Sequence, residues 1–269
     1  MMVTPRPVGT LLREWRQRRH RSQLDLALEA DISTKHLSFV ETGRSQPSRE
    51  MVLHLSELLE IPLRERNAVL VAAGYAPTYP ERAFDDPALA AARRAVDLVL
   101  TGHDPFPALA VDRHWNMIAA NDATRRLMAG IDAAMLIPPM NVLRLSLHPD
   151  GLAAQIRNYP QWREHLLVRL RHQIQVTADP ILAELAAELE SYPMPAGATG
   201  ETGSADEFGG VVVPLRLQTP AGVLSLFSTT TIFGTPVDVT LSELALEAFF
   251  PADAATAELL LRLAGGTGL

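Results

Sequence analysis

The strongest constraint on this chain lies in residues 8–74, where apolar side chains recur at helical spacing in five short blocks bounded by residues that start or stop helices. Val8–Arg21 carries Leu11, Leu12 and Trp15 on one stripe. Ser22, with Asp25 three residues on, makes a weak capping box for a second helix, whose expected buried side chains are Leu24, Ala27 and Leu28. After a tight connection at Ala30–Ile32, Ser33 can cap a third helix that runs to Thr42 and stops at Gly43. Pro47–Ser48 opens a fourth, with Met51, Leu55, Leu58 and Leu59 on its apolar side. Pro62 separates it from a fifth, Arg64–Ala73, ended by Gly74. Blocks this short bury their stripes only against one another, so a compact all-α domain is expected.

The whole chain is longer than one such domain. Its 269 residues, 47% hydrophobic and 20% charged, leave room for a second core. The absence of cysteine excludes disulfides, thiolate metal sites and cysteine nucleophiles, and it fits a cytoplasmic protein. The N-terminus has arginines but no apolar block, and no apolar run approaches the ~18 residues of a spanning helix, so neither a signal peptide nor a membrane partner is expected. Net charge is −7, split as +2 over residues 1–75 and −9 over 76–269. Arg6, Arg13, Arg16, Arg18, Arg19 and Arg21 crowd the basic end, with Glu14 the only acid among them. That cluster is either a solvated helix face or the mark of an anionic partner for that end alone.

The third helix separates these alternatives. At about 100° per residue, Leu37 and Val40 point one way, and Thr34, Lys35, Ser38 and Phe39 broadly the other. An outward Phe beside Lys, Ser and Thr suits a major groove: Lys donates to guanine, hydroxyls bond several base edges, and Phe meets a thymine methyl. A partner-protein face is the competing reading. The run SQLDLALEADISTKHLSFVETGRSQPS resembles the helix-turn-helix of the Cro and lambda-repressor (XRE) family over about residues 8–73. The resemblance implies DNA-binding positions at Gln23, Ser33, Thr34, Lys35, His36, Ser38, Phe39 and Arg44, with Ser45 and Gln46 following the backbone. It also implies a structural tie between Arg16 and Glu41. A module of net charge +2 neutralises few phosphates, so a homodimer on two half-sites is expected, held through residues beyond 80.

Tyr75–Phe84, with Pro77 and Pro80, reads as a linker; Asp86–Pro87 opens a connector helix carrying Leu89, Val96, Val99 and Leu100. PFPALAVDRHWNMIAAN then reads as two short strands around Asp112–His114, followed by a helix at Asp122–Ala129. Helices are expected at Asn141–Leu147, Gln161–Val176 and Pro180–Ser191, and a mobile Gly-rich acidic loop at 196–210. Val211–Gln218 and Gly222–Phe233 read as a hairpin, and a capping box at Thr240–Glu243 as the opening of a last helical region broken at Pro251. The strand-turn-strand-Asn-helix opening resembles a PAS domain. The segments PPMNVLRLSLHPDGL, WREHLL, STTTIFGTPVDVTLSELALEAFFPADAATA and DRHWNMIAAN resemble the ligand-binding domain of MmyB-like transcription regulators. The expected fold is thus an all-α, lambda-repressor-like helix-turn-helix domain of five helices (1–75), a linker and connector helix (76–103), and an α+β PAS-like domain (104–269).

The resemblance implies a transcription regulator that senses a small apolar, fatty-acid-like ligand. Candidate ligand residues are Asn141, Arg144 and His148, one stripe of a helix, then Trp162 and His165, which share a face with Leu166 and Arg169, and Phe227 and Phe233 on the hairpin. Arg144 pairing an acid and His148 closing a helix is the structural alternative. No HExxH or clustered His/Asp set, Walker A, GxSxG or paired-carboxylate signature is present, so neither metal, cofactor nor enzymatic activity is expected. The rival reading keeps DNA binding and gives the second domain to dimerisation or protein interaction without a small ligand.

Overall fold

The computed structural model describes residues 6–196, 212–234 and 238–265. It divides into two units: Met1–Ala83 with Thr235–Ser242, and Phe84–Gly234 with Glu243–Leu269.

The first unit contains α1 (Val8–Arg18), α2 (Gln23–Glu29), α3 (Thr34–Glu41), α4 (Arg49–Leu58) and α5 (Leu63–Ala72). Three of these helices start on serine. Ser22 and Asp25 form a reciprocal capping box, Ser33 Oγ accepts from the His36 amide, and Ser48 Oγ accepts from the Met51 amide. Gly43 and Gly74, beyond the ends of α3 and α5, take positive φ values of 73° and 84°, where a Cβ is strained. Leu12, Leu26, Leu37, Val40, Leu55 and Leu70 fill the core. Ala27 is buried as expected, but one expectation is corrected: Leu24 and Leu28 are 65% and 80% exposed, and α2 buries Leu26 in their place. A seven-residue helix offers two competing apolar stripes, and the spacing alone does not choose between them.

The second unit begins with a 3-10 turn, Pro87–Leu89, running into α6 (Ala90–Gly102). There follow β1 (Ala108–Val111), β2 (Met117–Ala120), α7 (Asp122–Leu127), α8 (Val142–Leu147), α9 (Tyr159–Thr177) and α10 (Pro180–Ser191). The remaining strands are β3 (Leu215–Thr219), β4 (Gly222–Ile232) and β5 (Ala245–Pro251), with α12 (Ala254–Ala264) last. Between β4 and β5, α11 (Val239–Ser242) belongs to the first unit. There Val239 is fully buried and its amide donates to the Pro80 carbonyl at 2.9 Å, while Asp238 accepts from Arg82 at 2.8 Å.

The strands form one antiparallel sheet ordered β2-β1-β5-β4-β3, and this is the α+β PAS-like fold. Side chains alternate across the sheet. Val96 and Leu100 of α6 cluster with Ala108, Ala110 and Leu246 on one face. The main core, on the other, joins Leu143, Leu147, Trp162, Leu166, Leu217 and Leu226. The helical region expected after Thr240 is corrected. Before Pro251 only the single turn α11 is helical, and Ala245–Pro251 is a central strand paired with β1 and β4; helix resumes beyond it as α12. A short apolar run such as LALEAFF is compatible with either state, and its neighbours on both sides decide it. The Gly-rich segment lies, apart from Ala196, outside the described residues. Among the described residues no helix is long and apolar enough to cross a membrane.

Gly9 lets α1 approach the end of α3: a Cβ there would overlap the Val40 carbonyl oxygen, a backbone atom that cannot swing aside. Gly9→Ala is expected to lower unfolding stability by about 1–3 kcal/mol, read from urea denaturation.

Candidate functional site

Two places bring chemically useful groups together, one in each unit. The first is the outer side of α3. Ser33, Thr34, Lys35 and Arg44 are exposed, and His36, Ser38 and Phe39 half-buried, while Leu37 and Val40 are buried at 0% exposure beneath them. The Phe39 ring lies between two cations, Lys35 Nζ at 5.6 Å and the Arg44 guanidinium at 5.7 Å from its centroid. This edge is basic, aromatic and hydroxylated, and the one acid of α3, Glu41, is buried.

The helix is held by a buried carboxylate. Glu41, 6% exposed, accepts from Arg16 Nε at 2.6 Å and Nη2 at 2.9 Å, a bidentate pair, and from Gln23 Nε2 at 2.7 Å. The pairing lifts the Arg16 pKa further above its ordinary value, through its hydrogen bond to Glu41. One side chain of α3 is thereby tied to both α1 and α2. The N-terminal arginine cluster is largely committed inside its own unit. Arg6 bonds Glu14, Arg21 bonds Glu29, and Arg19 donates to the carbonyls of Leu59 and Glu60 beyond α4, at 2.9 Å each. The outward positive charge therefore lies nearer Lys35 and Arg44 than the count of arginines implies.

The second place is an almost wholly apolar cavity of about 110 Å³ in the second unit. The sheet, α7, α8 and α9 wall it with side chains such as Leu109, Trp115, Trp162, Leu166, Leu226 and Phe249. Among the described residues, its only charged lining groups are Arg169 and Glu247. Glu247, 4% exposed, stands in β5 opposite Leu109 of β1 and Thr230 of β4. Arg169 Nη2 donates to Glu247 Oε1 at 2.7 Å and Nη1 to Oε2 at 3.3 Å. The Thr230 hydroxyl closes the triangle, accepting from Arg169 at 2.8 Å and donating to Glu247 at 2.7 Å. The guanidinium lies over the Trp115 ring, 5.0 Å from its centroid.

Of the ligand residues expected from sequence, Trp162 lines this cavity, its indole N–H donating to Ser146 at 2.9 Å. His165 stacks on Trp162 at 5.4 Å; burial holds its imidazole below the ordinary range, Arg169 adds to this and Glu247 opposes it. The other expected residues lie elsewhere. Asn141 caps α8, accepting from the Leu143 and Arg144 amides and donating to the His114 carbonyl. Arg144 forms a bidentate pair with Glu188, 2.7 Å on both arms, and holds that carboxyl below its usual range. His148 closes α8, accepting from the Asp150 amide, with its ring edge on Tyr192 at 5.0 Å. Phe227 stacks on Phe250 at 5.4 Å, across the strand from Leu226 and Ser228, and Phe233 joins the cluster around Val96. Sequence reasoning missed Glu247 and Thr230. The available signal was a lone acid inside the apolar run LALEAFF.

Two sites of this kind, the basic outer side of a helix in a helix-turn-helix and an apolar cavity in a PAS-like domain, define a DNA-binding regulator with a ligand-binding domain. The family comparison agrees in both halves: residues 12–66 match the helix-turn-helix family, and residues 92–263, well over half the chain, match the MmyB-like transcription regulator ligand binding domain. The chain belongs to the MmyB-like transcription regulators. No curated protein matches it in sequence. A solved structure described as an RNA-binding light-oxygen-voltage receptor matches at 13% identity and a TM-score of 0.25, over 98% of this chain and 69% of that one.

Arg16→Met keeps the length of the side chain and strands the Glu41 carboxylate, whose side chain is 1% exposed. A loss of about 3–5 kcal/mol is expected in chemical denaturation, with far-UV dichroism of the remaining native fraction unchanged.

Proposed function

We propose that this regulator reads duplex DNA with the outer side of α3 and answers a small apolar, fatty-acid-like ligand held in the cavity of its second unit. Gln23, Ser33 and Arg44 then meet phosphates, and Thr34, Lys35, His36, Ser38 and Phe39 meet base edges and methyl groups. The observation that carries the DNA half is a helix with Leu37 and Val40 sealed inward and Lys35, Phe39 and Arg44 massed outward. A weakly basic module needs two copies for useful affinity, so the reading includes a homodimer spanning half-sites about 34 Å apart. A protein that acts on chromosomal operators works in the bacterial cytoplasm. No enzymatic activity is part of this reading.

The observation that carries the ligand half is the cavity itself. Its apolar walls are suited to an aliphatic chain, and Arg169, Glu247 and Thr230 gather polar groups in one place. A ligand that binds one arrangement of the domain better than another shifts the equilibrium between them by that difference in affinity and no more.

Lys35→Ala is expected to weaken binding to the cognate operator by about 1–3 kcal/mol and to relax sequence choice at one position, measured by fluorescence anisotropy on operator and random duplexes. An equal loss on both duplexes reduces Lys35 to a phosphate contact. Leu166→Trp, which fills the cavity, is expected to abolish carriage of a small lipid in native mass spectrometry of the full chain. The same spectrum of the unaltered protein reports subunit number. A cavity that carries nothing and a dimer that persists would move the second unit to the dimerisation reading.

A further inference from the structure

The cavity offers its ligand a polar end that is already electrically balanced, and this bears on the ligand's chemistry. The inference rests on the reading of the cavity as the ligand site. Glu247 receives three hydrogen bonds: two from Arg169 and one from the Thr230 hydroxyl. Its side chain is 5% exposed, so it is shielded from solvent and fixed in place. Arg169 uses three of its N–H groups on Glu247 and Thr230, and a guanidinium carries five. Donor capacity therefore remains, and positive charge in excess does not. The lining also has the hydroxyls of Thr124, Ser146 and Ser228, and the indole N–H groups of Trp115 and Trp162, which donate to Gln173 and Ser146. Thr124 donates to the Ala108 carbonyl at 2.9 Å.

An ionised carboxylate entering here faces Glu247 across the same guanidinium. It either adds a second negative charge to a half-dry pocket or evicts Glu247 from a bidentate pair whose loss leaves a buried acid unanswered. A neutral head with a carbonyl or hydroxyl oxygen meets neither obstacle: it accepts from the remaining guanidinium N–H groups and leaves the pair intact. We infer that the ligand class selected by Arg169 and Glu247 is an apolar chain bearing an uncharged polar head, such as an amide, ester or alcohol, and that a free carboxylate is disfavoured. The ligand resembles a fatty acid in its chain and differs from it in charge.

Octanamide and octanoate are nearly the same shape and differ in charge, which makes them suitable probes. The full-length protein is titrated with each by calorimetry at about pH 7.5, where a carboxyl with a pKa near that of Glu is ionised. Octanamide is expected to bind about tenfold more tightly than octanoate. Glu247→Gln removes the opposing charge and is expected to erase the preference, with octanoate gaining about tenfold relative to octanamide. The wild-type comparison decides the matter even if this variant folds poorly. Octanoate binding as tightly as octanamide, or more tightly, overturns the inference and leaves the cavity as the ligand site. Failure of both probes to bind overturns the cavity reading itself, and the inference with it.

Discussion

A carboxylate withdrawn from water must be answered by charge and hydrogen bonds, and one such group stands at each of the two candidate sites. In the first unit it is Glu41, reached by Arg16 from α1 and Gln23 from α2. In the second it is Glu247, reached by Arg169 from α9 and Thr230 from β4. Each acid sits on an element of a candidate site, and each partner comes from a neighbouring element. A paired buried acid adds little net stability over an apolar residue of the same size, yet it tolerates few geometries. It thereby fixes α3 against α1 and α2, and β5 against α9.

The two halves were unequally legible in the sequence. The five helices of the first unit are announced locally by serine caps at Ser22, Ser33 and Ser48 and by glycines past the helix ends, and such signals survive any tertiary context. The side of α2 that turns inward was not announced. Leu24 and Leu28 make as good a stripe as Leu26 and Ala27, and only the neighbouring helices choose. In the second unit, hairpin partners close in sequence were visible, β1 with β2 and β3 with β4. Strand β5 was not, because it is made by pairing with β1 and β4 and its own residues read equally well as helix.

The cavity shows the same limit more sharply. A helical stripe such as Asn141, Arg144 and His148 tells which side chains share a side, and nothing about what that side meets. Arg144 meets Glu188, far along the chain, with Tyr192 also on that carboxylate. Arg169 shared its stripe with Trp162, and that stripe does face the cavity, yet its meaning depends on Glu247 from a strand that the local pattern concealed. Long-range pairing turns an apparent anion fork into a neutral donor.

The path of the chain carries its own consequence. The polypeptide leaves the first unit after Ala83, returns to it for Thr235–Ser242, and leaves again. Asp238 and Val239, at 1% and 0% exposure, are interior residues of that unit although they follow β4 in sequence. No single scission yields two intact halves. A piece ending at Ala83 lacks the carboxylate that Arg82 grips and the Val239 side chain, whereas a piece starting at Phe84 bears that valine with nothing to bury it. The amino-terminal half is therefore completed only after most of the carboxy-terminal half has been synthesised.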